Sequence, residues 1–349
     1  MAKKTVKMCS IGRRKIGVFL SGGLDSSLIA HELNLLKGPA VTFTNKMKPN
    51  IVTNEDFNSD ANAAERLAKI EGYNHTVVKI TPDNVIDSWD DAMYYMEQPM
   101  YNQSVAMYCY TNKVLHNNGI VVTMAGDMGD EILGGYPKYW KMRQPDYLKK
   151  MIGKEQLESW DDVLALWVQR IKRPISGTTV GATLSREQVL EECYPDDLWN
   201  PKDPVASYMA LDCVTQVPEE FFNRNDKFGM AYGMEGRFPL ATKMFMEYCM
   251  SIPVSEKIGG NKENTKMPTK KAYLKYLPDF IIKKEKTGWT VPLGYWLTKG
   301  QSTRLTEFYN KALKDKSGLG IVMTSQKAGK ALVPAWIIND WIKIYKIKI

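Results

Sequence analysis

The segment Lys15 to Leu33, KIGVFLSGGLDSSLIAHEL, confines the fold of this chain more tightly than any other stretch. Ile16 to Leu20 is a short apolar and β-branched run, the pattern of a buried strand. Leu24 to Leu36 then places Leu28, Ile29, Leu33 and Leu36 at helical spacing. Ser21-Gly22-Gly23 is the hinge between them. Glycines at such a hinge take backbone angles closed to other residues and let a ligand approach the main chain. The free N–H groups and positive dipole end of the following helix attract an anion. Asp25, in the first turn beside that anion site, is electrostatically out of place unless a divalent cation sits between them. Ser21, Ser26 and Ser27 add hydroxyls at the same spot. The pattern G-x-x-x-x-G-K-[ST] is absent, so this is not the phosphate loop of the common nucleoside triphosphatases.

Strand and helix signals alternate up to about Gly135. Val41 to Thr44 and Thr76 to Ile80 read as strands, and Asn62 to Ile70, Val85 to Met96 and Ala106 to Asn117 as helices. Ile120 to Met124 is another apolar strand, running into the loop of IVVTMAGDMGDEILGGY (Ile120 to Tyr136). Such alternation predicts an α/β fold with a parallel sheet and helices on both faces. Beyond about Lys150 helical patterns dominate, interrupted once by Pro195, Pro201 and Pro204. The expected organisation is an N-terminal extension over 1–14, an α/β half over 15–150 and a mostly helical half over 151–349. The second loop repeats the logic of the first, with Gly126 at the turn and Asp127, Asp130 and Glu131 crowding the exit. Ligands of doubly wound sheets bind at the carboxyl ends of strands, so the two loops are expected to meet. Asp25 and Asp130 would then be oxygen ligands for Mg²⁺, which favours one or two carboxylates plus substrate phosphates.

With 349 residues and 44% hydrophobic composition, the chain can bury a sizeable core. No uncharged apolar run approaches the roughly 20 residues of a membrane span, and MAKKTVKMCS lacks the apolar centre of a secretory signal. The five cysteines are dispersed without a C-x-x-C pair, and the three histidines are scattered, which argues against a zinc centre. A reduced, cytoplasmic setting is expected. The net charge of +8 comes largely from lysines in solvated stretches such as Lys283-Lys284 and the tail Lys343, Lys346 and Lys348. No basic helix interleaved with aromatics accompanies it, so a nucleic-acid partner is not expected.

SGGLDSS resembles the pyrophosphate-binding loop of N-type ATP pyrophosphatases, the PP-loop or adenine nucleotide alpha hydrolase-like fold. Four motifs in order, SGGLDSS, GDMGDEILGGY, DKFGMAYGMEGRFPL (Asp226 to Leu240) and KEKTGWTVPLGYW (Lys284 to Trp296), resemble the synthetase domain of glutamine-hydrolysing asparagine synthetases. Smaller similarities lie in SDANAAERLAKIEGYNH, in EQP (Glu97 to Pro99) and around Trp336 and Trp341, so the resemblance covers the chain from about Lys15. It implies activation of the aspartate side chain with MgATP to β-aspartyl-AMP and pyrophosphate, then attack by ammonia with release of AMP. By resemblance, Ser21, Gly22, Gly23, Asp25, Ser26 and Gly126 would bind ATP and its pyrophosphate, and Asp25 and Asp130 would carry the metal. Lys286 stands at the family's catalytic lysine, where preorganised charge would neutralise the α-phosphate. Glu131 would orient Lys286, and Asp127 would take the proton of incoming ammonia. Asp226, Glu235 and Arg237 match a helical motif that either contacts substrate or forms a supporting ion-pair network.

The chain departs from the family pattern at several positions. Ala125 stands for the usual serine, Met128 for the usual glycine, Thr242 for a frequent aspartate and Trp289 for phenylalanine. Ala2 follows Met1 where the family's glutaminase domain has its catalytic cysteine, and only about fifteen residues precede the first strand. Free ammonia is therefore the expected nitrogen donor, with a separately encoded glutaminase subunit as the other source. The loop departures leave open a related amide or lactam synthetase acting on another amino acid or a peptide. A tRNA-modifying pyrophosphatase and a non-catalytic binding descendant are the remaining alternatives. The missing C-x-x-C pairs argue against the first of these, and joint retention of Asp25, Asp130 and Lys286 against the second.

Overall fold

Strands form where the apolar runs lie. The computed structural model describes residues 1–48, 56–99, 102, 104–171, 196–261, 263–285, 287, 291–298, 302–314, 337 and 340–346. Its five strands are β1 (Ile16–Phe19), β2 (Val41–Met47), β3 (Asn74–Ile80), β4 (Val122–Met124) and β5 (Glu235–Arg237). They form one sheet in the order β3-β2-β1-β4-β5, and every pairing is parallel. Gly17 lies opposite Val41 on one side of β1, and Ile16 opposite Val122 on the other.

Both faces of this sheet are covered, which parallel strands require because their crossovers are helical. On one face, α1 (Ala2–Cys9), α2 (Leu24–Lys37) and α3 (Ser59–Glu71) contribute to a core that holds Val18, Leu20, Leu28, Ile29 and Leu67. On the other, α4 (Pro82–Asp87), α5 (Trp89–Met96) and α6 (Val105–Asn117) pack Trp89, Met93 and Val105 against Phe19 and Phe43. Adjacent residues of β1 thus point to opposite cores. Full burial of each such side chain is worth about 1.5–3 kcal/mol. A third core, around Tyr139, Leu148, Leu164 and Tyr208, joins the last helices before residue 151 to helices of the second half.

Two expectations need correction. The continuous helix read over Val85 to Met96 is two helices, separated at Ser88, which has φ −105° and ψ 4°. The expected helical second half also contributes β5, a three-residue strand that extends the sheet beyond β4. Its sequence, Glu-Gly-Arg, has no alternation to mark it, and pairing with the buried β4 creates it. Among the described residues, no helix is long and apolar enough to cross a membrane. Cys9, Cys109, Cys213 and Cys249 are free thiols, and Cys193 lies outside the described residues.

Candidate active site

Strand order sets the position of the site. From β1 the chain proceeds to β2 and β3 on one side, while β4 and β5 lie on the other, so the order reverses between β1 and β4. At such a switch point the loops leaving two neighbouring strands diverge and open a crevice. The two loops flanking it are Leu20–Gly23, after β1, and Ala125–Met128, after β4.

The first loop is closed by its own hydroxyls. The Ser21 amide donates to Ser26 Oγ at 3.1 Å, the two serine hydroxyls lie 3.0 Å apart, and the Gly23 amide donates to Ser21 Oγ at 3.3 Å. Ser27 Oγ in turn donates to the Gly23 carbonyl at 2.7 Å. Gly22 has φ +74°, and a Cβ there would run into the Asp60 carbonyl and the Ala64 amide at the start of α3. Gly23 is the N-cap of α2 and makes no side-chain cap, which leaves first-turn amides of that helix available to an anion.

The second loop is shaped around Asp25. A Cβ on Gly126 would approach the Asp25 Cβ at 2.9 Å, and one on Gly129 would approach the Asp25 Cγ at 2.6 Å. Met128, where the family has glycine, has φ 78° and ψ −20°, so the loop keeps the left-handed backbone that glycine adopts freely. Its side chain is buried in the core beneath the loop. Beyond it, α7 (Gly129–Leu133) carries Asp130 and Glu131 in its first turn.

Asp25 and Asp130 do meet, and a residue unmarked in the sequence joins them. Lys266 Nζ pairs with Asp25 Oδ2 and lies 2.6 Å from Asp130 Oδ1, with all three side chains nearly buried. Lys266 caps the helix Met267–Tyr273 with φ 52°. In the sequence it is one of several lysines in Asn261 to Lys271, NKENTKMPTKK, without periodicity to single it out. Two carboxylates gathered on one cation suit Mg²⁺, whose remaining positions water and substrate phosphates would fill. No group of three or more His, Cys, Asp or Glu gathers as a metal-holding set among the described residues.

Glu131 is buried against this cluster and accepts a hydrogen bond from the Tyr136 hydroxyl at 2.7 Å. Burial, followed by the neighbouring Asp130 charge, pushes its carboxyl up to about 8. Asp127 is half-buried at the loop tip. Lys286 and Trp289 lie outside the described residues. Their neighbours do approach the crevice: Lys284 Nζ lies 2.7 Å from Asp60 Oδ1, and the Thr287 hydroxyl donates to the same carboxylate. Lys284 and Thr287 are thereby tied to the end of α3 that abuts Gly22.

Asp226 is exposed on the helix Asn223–Ala231. Glu235 and Arg237 are strand residues that pair at 2.8 Å, whereas the sequence reading put them in a helical motif. Arg237 also donates to the Cys9 and Ile11 carbonyls, each at 2.7 Å, and so ties β5 to the segment after α1. The structure therefore brings Ser21, Gly22, Gly23, Asp25, Ser26, Gly126, Asp130 and Glu131 to one crevice. It gives Glu235 and Arg237 contacts with each other and with the chain preceding β1.

A family model described as asparagine synthase matches residues 2–335 of this chain. Among curated proteins, asparagine synthetase [glutamine-hydrolyzing] 1 of Bacillus subtilis is 22% identical over 314 residues, 81% of this chain and 47% of that protein. Asparagine synthetase [glutamine-hydrolyzing] 3 of the same organism is 25% identical over 315 residues, 81% and 46% respectively. Asparagine synthetase [glutamine-hydrolyzing] 1 of Saccharomyces cerevisiae is 23% identical over 337 residues, 84% and 48%. The chain thus spans about half the length of the curated relatives it matches.

Proposed function

The chain belongs to the asparagine synthase family, and from that premise we propose that it is an ATP-dependent amidoligase that converts aspartate to asparagine. One observation carries the reading: the glycine-serine loop after β1 and the acidic loop after β4 converge at the switch point with Asp25 and Asp130 on a single cation. In the first step a side-chain carboxylate oxygen of aspartate attacks the α-phosphorus of ATP. The new O–P bond gives β-aspartyl-AMP, and the bond to the β-phosphate breaks to release pyrophosphate. Ser21, Gly22, Gly23, Ser26, Gly126 and the first-turn amides of α2 would hold that pyrophosphate. Asp25 and Asp130 would hold Mg²⁺, which when bound supplies positive charge against the departing phosphates.

Lys286 would offset charge building on the α-phosphate, a preorganised electrostatic contribution. Glu131 holds a proton near neutral pH, and a cation brought beside it favours its ionised form. Approach of Lys286 and ionisation of Glu131 would accordingly be coupled. Ammonia then attacks the acyl carbon, a C–N bond forms, the C–O bond to the bridging oxygen breaks so that AMP leaves with that oxygen, and Asp127 accepts the surplus proton. Free ammonia or a partner glutaminase would supply the nitrogen.

The test is ATP–pyrophosphate exchange with purified protein and a panel of carboxylic acids. Aspartate-dependent exchange is expected, followed by asparagine formation when ammonium is added. Exchange that depends on another amino acid or a peptide would redirect the reading to a related amide or lactam synthetase. Exchange that depends on tRNA would redirect it to a tRNA-modifying enzyme. Lys286→Ala should abolish exchange and leave ATP binding in place, because a contact made only in the transition state lowers the rate constant.

A further inference from the structure

A cavity of about 560 Å³ opens at the amino ends of β1, β4 and β5, the sheet edge opposite the loops of the crevice. Ile16, Val122 and Glu235, the first residues of those strands, all line it. The strands β1 and β4, about 10–13 Å long at 3.3 Å per residue, separate it from the crevice. Ile16, Val122 and Met234 are buried beneath it, and Met230, 60% exposed, stands at its rim. Its size lies within the range of small-ligand sites.

One wall is the segment between α1 and β1, which spends its acceptors and keeps its donors. Arg237 donates to the carbonyls of Cys9 and Ile11 at 2.7 Å each, and Lys37 to that of Gly12 at 3.4 Å. The amides of Gly12, Arg13 and Arg14 reach no backbone acceptor among the described residues. The side chains of Arg13 and Arg14 line the cavity, are exposed, and make no ion pair or hydrogen bond among the described residues. The other charged side chains of the lining, Glu235 and Arg237, pair with each other at 2.8 Å. Two positive charges therefore stand unbalanced over an apolar floor. A guanidinium group meets a carboxylate through paired N–H···O bonds, and the floor offers a hydrocarbon chain escape from water. An ammonium group would find no carboxylate here, because Glu235 is already held by Arg237.

We propose that this cavity binds a small organic acid with a hydrocarbon body and no amine. Its carboxylate would rest on Arg13 and Arg14, and its hydrocarbon over Ile16, Val122 and Met234. The site does not depend on the reaction assigned to the crevice. Its want of a counter-charge for an ammonium also sets its ligand apart from the amino acid proposed there.

Isothermal titration of the full chain with 3-phenylpropionate tests the proposal, with 3-phenylpropan-1-ol and phenylalanine as controls. The acid should bind saturably at one site per chain, in the presence or absence of ATP, and both controls much more weakly. The double variant Arg13→Gln, Arg14→Gln alters only exposed side chains and should weaken the acid about tenfold or more, the effect of losing charge-assisted hydrogen bonds. Met230→Glu, at an exposed rim position, brings a carboxylate to the same arginines and should weaken the acid while leaving the alcohol unchanged. No saturable binding, equal affinity for the alcohol or the amino acid, or full affinity in the double variant would each overturn the proposal. Pyrophosphate exchange at the crevice is read independently, so the two readings stand or fall separately.

Discussion

Among the described residues a lysine pairs with aspartate at the crevice and again beside a group of tyrosine rings, and the two clusters are built differently. At the crevice, Lys266 lies between Asp25 and Asp130, walled by backbone that admits no Cβ at Gly126 or Gly129. Where the end of the α/β half meets the helical half, Lys138 pairs with Asp212, which is fully buried and also accepts from the Tyr139 hydroxyl at 2.6 Å. There the ammonium lies 4.9, 5.0 and 5.5 Å from the ring centres of Tyr136, Tyr139 and Tyr208. Rings fill the space around Lys138, whereas the crevice cluster stands at a sheet switch point beside a pre-closed anion loop. The first arrangement suits permanent structure, and the second suits a cation that can be exchanged for another.

The largest effect should come from the aromatic cluster. Asp212→Asn leaves the Lys138 ammonium among rings without its counter-charge, a defect that costs about 3–5 kcal/mol when a buried pair is broken. Thermal or denaturant unfolding should show that loss, and Mg²⁺ should not repair it. Unchanged stability would mean that Lys138 simply swings into water and that the two clusters are less different than their surroundings suggest.

Glu131 stands between the clusters, since both Asp130 and Asp212 push its carboxyl upward in addition to burial. Its folded value of about 8 exceeds the ordinary 4.5. Between those values the folded chain holds a proton that the unfolded chain has lost. The resulting stability is fully present below 4.5 and is lost as pH rises towards about 8. The slope for one such group is about 1 kcal/mol per pH unit. Glu131→Gln should flatten the difference, measured as unfolding free energy against pH for both proteins. Parallel curves would show that Glu131 ionises normally and does not link the clusters.

Lys266→Met removes the cation from the crevice and leaves Asp25 and Asp130 facing each other. The expected cost is about 2 kcal/mol, below that at Asp212 because these carboxylates can take up a proton or a metal. Millimolar Mg²⁺ should raise the melting temperature of this variant by mass action, in contrast to Asp212→Asn. An equal response of the two variants to Mg²⁺ would erase the distinction between an exchangeable and a permanent cation.

The clusters were also unequally legible. The first was half visible in the sequence, because Asp25 and Asp130 follow apolar strands and strand ends gather ligands. Four strands of the sheet were readable by the same signal, from β-branched runs such as Val41 to Thr44. Lys266 was not, since its role depends on a left-handed cap and on the 241 residues that separate it from Asp25. The partnership of Lys138 with Asp212 was equally hidden, because tertiary packing alone brings a helix-terminal lysine beneath three rings. β5 failed to appear for the related reason that Glu235, Gly236 and Arg237 become a strand only through β4. Local periodicity records burial along one element, and none of these features is local.

Met128 offers the smallest effect and the most specific one. At an ordinary position glycine is worse than alanine by about 0.5–1 kcal/mol, because it gains more freedom in the unfolded chain. Met128 has φ 78°, where a side chain costs about 1–2 kcal/mol and glycine almost nothing. Its side chain, 3% exposed, also contributes core packing that either truncation forfeits. Met128→Gly and Met128→Ala should therefore both be less stable than the parent, with glycine the better of the two by about 0.5–1 kcal/mol. Pyrophosphate exchange should survive in the glycine variant, since the loop already has the backbone that glycine favours and Gly126 and Gly129 keep their fit around Asp25. The usual order, with alanine the more stable, would show that the second loop relaxes when Met128 is shortened. The crevice would then owe its shape to the Met128 side chain in the core, as the other cluster owes its shape to rings, and the contrast between the two would narrow to their glycines.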